Sequence, residues 1–352
     1  MPRVPRFMRK STPPTFLALA LTVVTSLAAL SPLCVPPVDG DDIFINCSID
    51  SGSPDLSSVN IPKPLLPQIG DLSQIPSSLT VAEYNIDRNG YGGDGSRESG
   101  LQSIIDLLHD GSVVPEFDVL LLSEVGRGCD GYGGGNGAED IAKSFNMFWA
   151  YAVEYVQVDA ASQAGECSIG NAVLSKYPLD DLEQITFTNQ CCRYGGRWGG
   201  RSAVKASISF NSTTITVIST HLESGQSDIK SVLNGTYVRE RQAAELSTKF
   251  ANPDAAMTTI GGDFNSPLRS VDPTRLSFEY NSFHDSHDSM PWRQRNTCPD
   301  GAIAQYAKAL TLDMIYVDNI DLLVEDSVGI CNDEDICNGW SDHVPIFASY
   351  SI

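Results

Sequence analysis

Residues Thr258 to Pro267 read Thr-Thr-Ile-Gly-Gly-Asp-Phe-Asn-Ser-Pro, an apolar lead-in that crosses two glycines and then delivers Asp263 and Asn265. Pro267 ends the pairing, because proline has no N–H to give a ladder. Residues two apart on an extended segment share a face, so a carboxylate that takes a proton and an amide that donates hydrogen bonds stand side by side. That pair suits hydrolysis of a phosphate ester, with Asp263 handling the water and Asn265 a phosphate oxygen. Taken alone, the same residue types also make a turn. Other polar groups follow apolar runs in the same way: Asn85 after Leu79–Tyr84, Ser123 and Glu124 after Phe117–Leu122, and His221 after Thr214–Thr220. Asp313 opens an apolar stretch, and Asp342 and His343 precede another. Arg193, Arg197 and Arg201 recur every four residues in a glycine-rich frame. Guanidinium forks match phosphate oxygens, although spaced arginines on an acidic chain also balance local carboxylates. Arg201 is the stronger candidate because it leads into a strand. His284 and His287 read as a metal pair or as a polar loop.

The elements that must position these groups follow from periodicity. Leu79–Asn85 reads as a strand; Leu101, Ile104, Ile105 and Leu108 mark one helical face; Phe117–Leu122 reads as a buried strand. The order recurs with Thr214–His221, a helix from about Tyr237 to Phe250, and the strand that delivers Asp263. Two strand–helix–strand units, each bringing capable side chains to strand ends, predict paired sheets meeting at one rim. Between them lie a helix over Ala138–Phe145, a strand over Trp149–Val158 and a strand over Ile169–Ser175.

Composition bounds the rest. The hydrophobic fraction of 41% over 352 residues supports a globular core. Arg3, Arg6, Arg9 and Lys10 precede an apolar run from Phe16 to Leu33, which reads as a signal peptide or a single-pass signal anchor over residues 1–33. Residues 34–77 are rich in proline and serine and read as a linker, with the folded domain over 78–352. Nine cysteines fit an oxidising, extracellular compartment. Cys331 and Cys337 enclose a short acidic loop that a disulfide would close, and the adjacent Cys191 and Cys192 call for separate partners. Sequons at Asn46, Asn211 and Asn234 fit glycosylation. The formal charge of −21 disfavours a broad footprint on duplex DNA and leans toward a small or lipid-headgroup phosphoester, or a nucleic acid held by few contacts. The chain has no Gly-x-Ser-x-Gly elbow and no phosphate-binding glycine–lysine loop.

Taken together, Asn85, Glu124, His221, Gly-Asp263-x-Asn265, Asp313 and Ser341-Asp342-His343 resemble, in order, the motifs of the endonuclease/exonuclease/phosphatase superfamily. Gly170-Asn171-Ala-Val-Leu-Ser and Arg239-x-Arg241-Gln242 add to the likeness. The resemblance implies an α/β (α+β) fold, a four-layer α/β/β/α sandwich of two packed mixed sheets flanked by helices. It implies a divalent cation, usually Mg2+ with Mn2+ or Ca2+ as alternatives, held by Glu124 with Asn85 and Asp342 nearby. Asp263 would orient or deprotonate the water, Asn265 and His221 would bind phosphoryl oxygens, and Asp313 would hold His343. Asn171 and Arg201 are the substrate-binding candidates. The partner implied is a phosphoester, whether small molecule, lipid headgroup or nucleic acid, and no obligate protein partner is indicated. The alternative of another class is a secreted binding protein that kept the fold and lost turnover. Tyr84 and Ser123 depart from the commoner Trp and Gln, and the glycine-rich insert from Gly126 to Gly137 has no counterpart in the family pattern.

Overall fold

The computed structural model describes residues 76–90, 97–111, 114–128, 135–157, 167–188, 193–194, 197–210, 213–224, 229–251, 255–266, 272–291, 297, 311–328, 341 and 343–352. The expected leader, nearly all of the expected linker, the two cysteine pairings, Asp342 and the sequons at Asn46 and Asn211 lie outside them. No helix among the described residues is long and apolar enough to cross a membrane.

Two mixed sheets pack face to face. The larger contains β1 (Ser78–Asn85), β2 (Val119–Arg127), β3 (Phe148–Gln157), β4 (Ser168–Ser175), β6 (Arg193–Tyr194), β7 (Arg197–Gly199), β13 (Leu323–Val328) and β14 (Ile346–Ser351), in the order β13-β14-β1-β2-β4-β3-β7-β6. The smaller contains β5 (Asp180–Thr186), β8 (Ser202–Phe210), β9 (Thr213–His221), β10 (Met257–Asp263), β11 (His284–Asp285) and β12 (Asp313–Val317), in the order β11-β12-β10-β9-β8-β5. Helices α1 (Arg97–His109) and α2 (Gly137–Phe145) cover the first sheet, and α3 (Ile229–Phe250) and α4 (Pro273–Tyr280) cover the second.

Strand alternation builds these layers. Leu79 and Val81 of β1 enter the core between the sheets with Leu121, Val204, Val217 and Ile315. Their neighbours Ala82 and Tyr84 pack outward with Ile104, Leu108 and Ile141 under the helices. The second sheet repeats the scheme, setting Ile218 and Ile260 against Leu246, Phe250 and Phe278. By the same alternation Glu83 and Asn85 face the other sheet, and both are buried.

The two expected strand–helix–strand units are the centre of each sheet. β1 runs parallel to β2, with Asn85 opposite Ser123, and β9 runs parallel to β10, with His221 opposite Asp263. β12 lies antiparallel on the other side of β10 and sets Asp313 opposite Asp263. Gly262 permits this close pairing, since a Cβ there would lie 1.8 Å from the Thr220 carbonyl oxygen. Three expectations need correction. β2 does not run from Phe117 to Leu122 but from Val119 to Arg127, because its pairing with β4 shifts register between Leu122 and Val125 and absorbs Glu124 in a bulge. α3 starts at Ile229, about two turns before Tyr237, and carries the sequon residue Asn234. His284 and His287 do not make a metal pair: His284 is exposed on the two-residue β11, while His287, in the polar turn that follows, is buried and brings its Nε2 to the Ser327 and Phe347 carbonyls at 3.2 and 3.0 Å.

Candidate active site

At one rim the ends of β1, β9, β10 and β12 converge, and Asp263 sits at the middle. Its Oδ2 accepts a hydrogen bond from Asn85 Nδ2 at 3.1 Å, across the two sheets. Its Oδ1 accepts from the Asn265 backbone N–H at 2.8 Å, a tight turn in which Asn265 takes a left-handed φ of 49°. Two imidazoles face the same carboxylate: His221 Nε2 stands 3.4 Å from Oδ2 and His343 Nε2 3.7 Å. His343 is held from behind, with Nδ1 at 2.7 Å from Asp313 Oδ2. Ser341 fixes the approach to it, donating to the Asn85 carbonyl at 2.7 Å and accepting from the His343 N–H at 3.1 Å. Asn265 Nδ2 lies 3.0 Å from both the Leu222 carbonyl and His221 Nε2.

The far side of His221 meets a cation. Arg201 Nη1 lies 2.6 Å from His221 Nδ1 and donates to Glu154 Oε2 at 3.0 Å. Asn171 completes that group, donating from Nδ2 to Glu154 Oε1 at 2.9 Å and to the Ser202 carbonyl at 2.8 Å. Neither expected substrate-binding residue faces open space: Asn171 is fully buried and Arg201 is 8% exposed. The physical reason is Glu154, a carboxylate inside the sheet whose burial requires a guanidinium and an amide beside it. An acid at a position that the strand pattern makes apolar was the signal available for Glu154, and also for Glu83. Glu83 lies wholly buried beneath the site, accepting from Ser123 Oγ at 3.4 Å. Ser123, which replaces the larger glutamine of the common pattern, also approaches the Thr220 carbonyl at 3.3 Å and so ties the two sheets together.

Glu124 stands apart from this tightly bonded set. Its backbone is left-handed, with φ 53°, and its side chain is about a quarter exposed. Its oxygens lie at ion-pair distance from Arg88 Nε, 3.7 Å, and from His221 Nδ1, 3.9 Å. Residues Asp87 to Asn89 next to it are likewise left-handed. Farther out, Gln242 Oε1 accepts the Glu223 N–H at 2.9 Å and Arg239 Nη1 donates to the Glu223 carbonyl at 3.0 Å, so the middle of α3 braces the chain just beyond β9.

Burial governs the protonation of these groups. It raises the Asp263 carboxyl above its ordinary value, with His343 opposing and Asp313 adding to the rise. It raises Glu83 well above the usual range, aided by Asp313 and Asp263, and pushes Glu154 up to about 7 against the Arg201 charge. Glu124 is raised by burial and by Asp87, with Arg201 and Arg88 opposing. Burial, then the Arg201 and His343 charges, hold His221 well below the ordinary imidazole value.

Fold and site together define a two-sheet α/β sandwich with an acid–amide–imidazole cleft at one rim. A family model described as Endonuclease/Exonuclease/phosphatase family matches residues 82–343, and the chain belongs to that family. Its fold is similar to that of the endonuclease/exonuclease/phosphatase from Beutenbergia cavernae, at 16% identity over 79% of this chain and 72% of that one, with a TM-score of 0.56. A D. rerio TDP2 humanized by 14 mutations matches at 17% identity over 79% of this chain and all 100% of that one, TM-score 0.56. D. rerio TDP2 complexed with single strand DNA product matches at 17% over the same shares, TM-score 0.55. At these identities the likeness shows the fold. No curated protein matches the sequence.

Members of the family are generally hydrolases of phosphoester bonds, and typically depend on a divalent cation. The donors fit a hard one: carboxylate and amide oxygens, with no thiol among the described site residues. Glu124 and Asp263 lie near Arg201, Asp313 pairs beside Asp263, and Arg88 is shared between Glu124 and Asp87, an excess of acid that a cation would offset. Asp263, Asp313 and His343 also bring ligand atoms within 4.8 Å of one another. Two of those three are already bonded together, whereas Glu124 is at hydrogen-bond distance from neither Arg88 nor His221.

Proposed function

We propose that this chain is a secreted, Mg2+-dependent phosphoric ester hydrolase that cleaves a phosphodiester or phosphomonoester by in-line attack of water. The observation that carries the reading is Asp263, a buried carboxylate ringed by Asn85, Asn265, His221 and His343. Burial raises its basicity, which suits a group that orients and deprotonates water. Arg201 has only hydrogens to offer, so we read His221 Nδ1 as the acceptor and its Nε2 as the protonated nitrogen, which faces the Asp263 carboxylate at 3.4 Å, while Asn265 donates from Nδ2 to the Leu222 carbonyl and stands with His221 to bind the phosphoryl oxygens. Asp313 holds His343 by Nδ1, and a carboxylate there favours the imidazolium as negative charge grows on the phosphate. Asn171, Glu154 and Arg201 act as positioning residues for His221. Glu124 and Asn85, with Asp342 beside His343, would hold the cation, which when bound supplies Lewis-acid stabilisation of the phosphoryl oxygens.

Secretion is supported by the basic-then-apolar run up to Leu33 and by the nine cysteines of the chain. A second reading, an extracellular deoxyribonuclease-like endonuclease, is favoured by the fold shared with a TDP2 that was crystallised with single strand DNA product. The charge of −21 weighs toward a substrate gripped by few contacts. A panel of DNA, RNA, sphingomyelin and inositol phosphates, assayed with Mg2+ and with chelator beside Asp263→Ala, tests the proposal. Cation-dependent turnover that Asp263→Ala loses is expected; a folded protein inert on every ester supports the binding-protein alternative.

A further inference from the structure

The turn after β1 is built at an energetic cost. Asp87, Arg88 and Asn89 have φ of 35°, 55° and 65°, a run of three non-glycine residues in the left-handed region. Each such residue is strained and persists only when its surroundings over-determine it. Here they do. Asn85 Oδ1 accepts the Asp87 N–H at 3.0 Å, and the Asn89 side chain clasps Gly126 by both its N–H, 2.9 Å, and its carbonyl, 3.0 Å. Gly90 then lies so close to Gly100 that a Cβ would meet its backbone at 2.9 Å. Each fastening acts on the backbone of the turn, and its product is the placement of one side chain. The Arg88 guanidinium is clamped on Asp87 Oδ1 by Nε at 2.8 Å and Nη2 at 2.6 Å, with its Nε 3.7 Å from Glu124. The turn therefore sets a fixed positive charge against the carboxylate that would hold the cation.

We propose that Arg88 is the resident counter-cation of Glu124, which a divalent cation must displace, so that this side chain sets the cation affinity of the cleft. The inference rests on the cation assignment made above. A like charge within a few ångströms of a partly buried site weakens cation binding by Coulomb repulsion. Clamping by Asp87 also keeps that second carboxylate from serving the cation.

Calorimetric titration of the substrate-free, chelator-stripped protein with Mg2+ and Mn2+ tests the proposal. Arg88→Gly, which also suits the left-handed backbone, and Arg88→Gln are each expected to tighten the dissociation constant about tenfold, while Arg88→Lys keeps the charge and stays near wild type. Equal affinity in wild type, Arg88→Gly and Arg88→Gln, with Glu124→Gln clearly weaker, overturns the inference and leaves the cation assignment standing. Binding that Glu124→Gln leaves unaltered removes both. A fold lost in Arg88→Gly leaves Arg88→Gln to decide, because loss of the positive charge is the one change that the test requires of both variants.

Discussion

The two strand–helix–strand units at the centres of the sheets contribute to one cleft in different ways. β9–α3–β10 delivers His221 and Asp263 buried and Asn265 half-buried, bonded to one another and braced from behind by Arg201, Gln242 and Arg239. β1–α1–β2 delivers Asn85, buried and tied to Asp263, but also Glu124, partly open, on a left-handed bulge beside a left-handed turn. The contrast has a physical reason. A group that moves a proton must hold its geometry within a fraction of an ångström, whereas carboxylates meant for a cation repel one another until it arrives and need a backbone that can hold them apart. In this reading the second unit carries the chemistry and the first carries the cation.

The sharpest way to break that division is Asp263→Asn. It should leave the fold and the cation affinity nearly intact while kcat falls about a thousandfold or more; a variant that loses cation binding in step with activity would merge the two roles. Glu124→Gln should do the reverse, costing on the order of a hundredfold at limiting Mg2+ and recovering in part as the cation is raised, read from activity against cation concentration. Asn89→Ala removes the clasp on Gly126 and should cost about 2 kcal/mol in urea unfolding, together with a weaker cation site. Its kcat at saturating cation should hold, since the Asn89 side chain bonds to Gly126 within the first unit.

The smallest expected effect is on stability against pH. Glu83, Glu124, Glu154 and Asp263 are all raised, Glu154 to about 7, so between the ordinary carboxylate range near 4.5 and about pH 7 the folded chain binds more protons than the unfolded one. Stability of the chelated protein from these groups is therefore present below that window and lost as pH rises through it. His221 is depressed and works in the opposite sense below its ordinary 6.5. Bound cation stabilises the charged carboxylates, so the gap in Tm between Mg2+-loaded and chelated protein should widen by several degrees from pH 5 to pH 7.5. A gap that narrows would place the raised acids away from the cation.

Much of this was legible without coordinates. Period-two apolar runs bounded by glycine and proline marked the strands within a few residues, as at Leu79–Asn85 against Ser78–Asn85 and Ile169–Ser175 against Ser168–Ser175. Polar residues closing such runs marked Asn85, His221 and Asp263, and one opening such a run marked Asp313, because a strand end at a rim is where a charge can be both held and reached. The start of α3 was missed, since Ile229 to Thr236 lacks a clean apolar stripe while the segment still belongs to the helix.

By itself the amino-acid sequence determined the two-unit plan and the identity of the groups at the rim, because alternation and spacing are local properties of a chain. Tertiary structure alone decided who meets whom: that Asn85 reaches across 178 positions to Asp263, that Arg201 and Asn171 serve Glu154 and not open space, and that Arg88 is pinned beside Glu124. Those pairings depend on how two sheets stack and where one strand bulges, and the cost of burying a charge far from its sequence neighbours is settled only by what the other sheet brings to it.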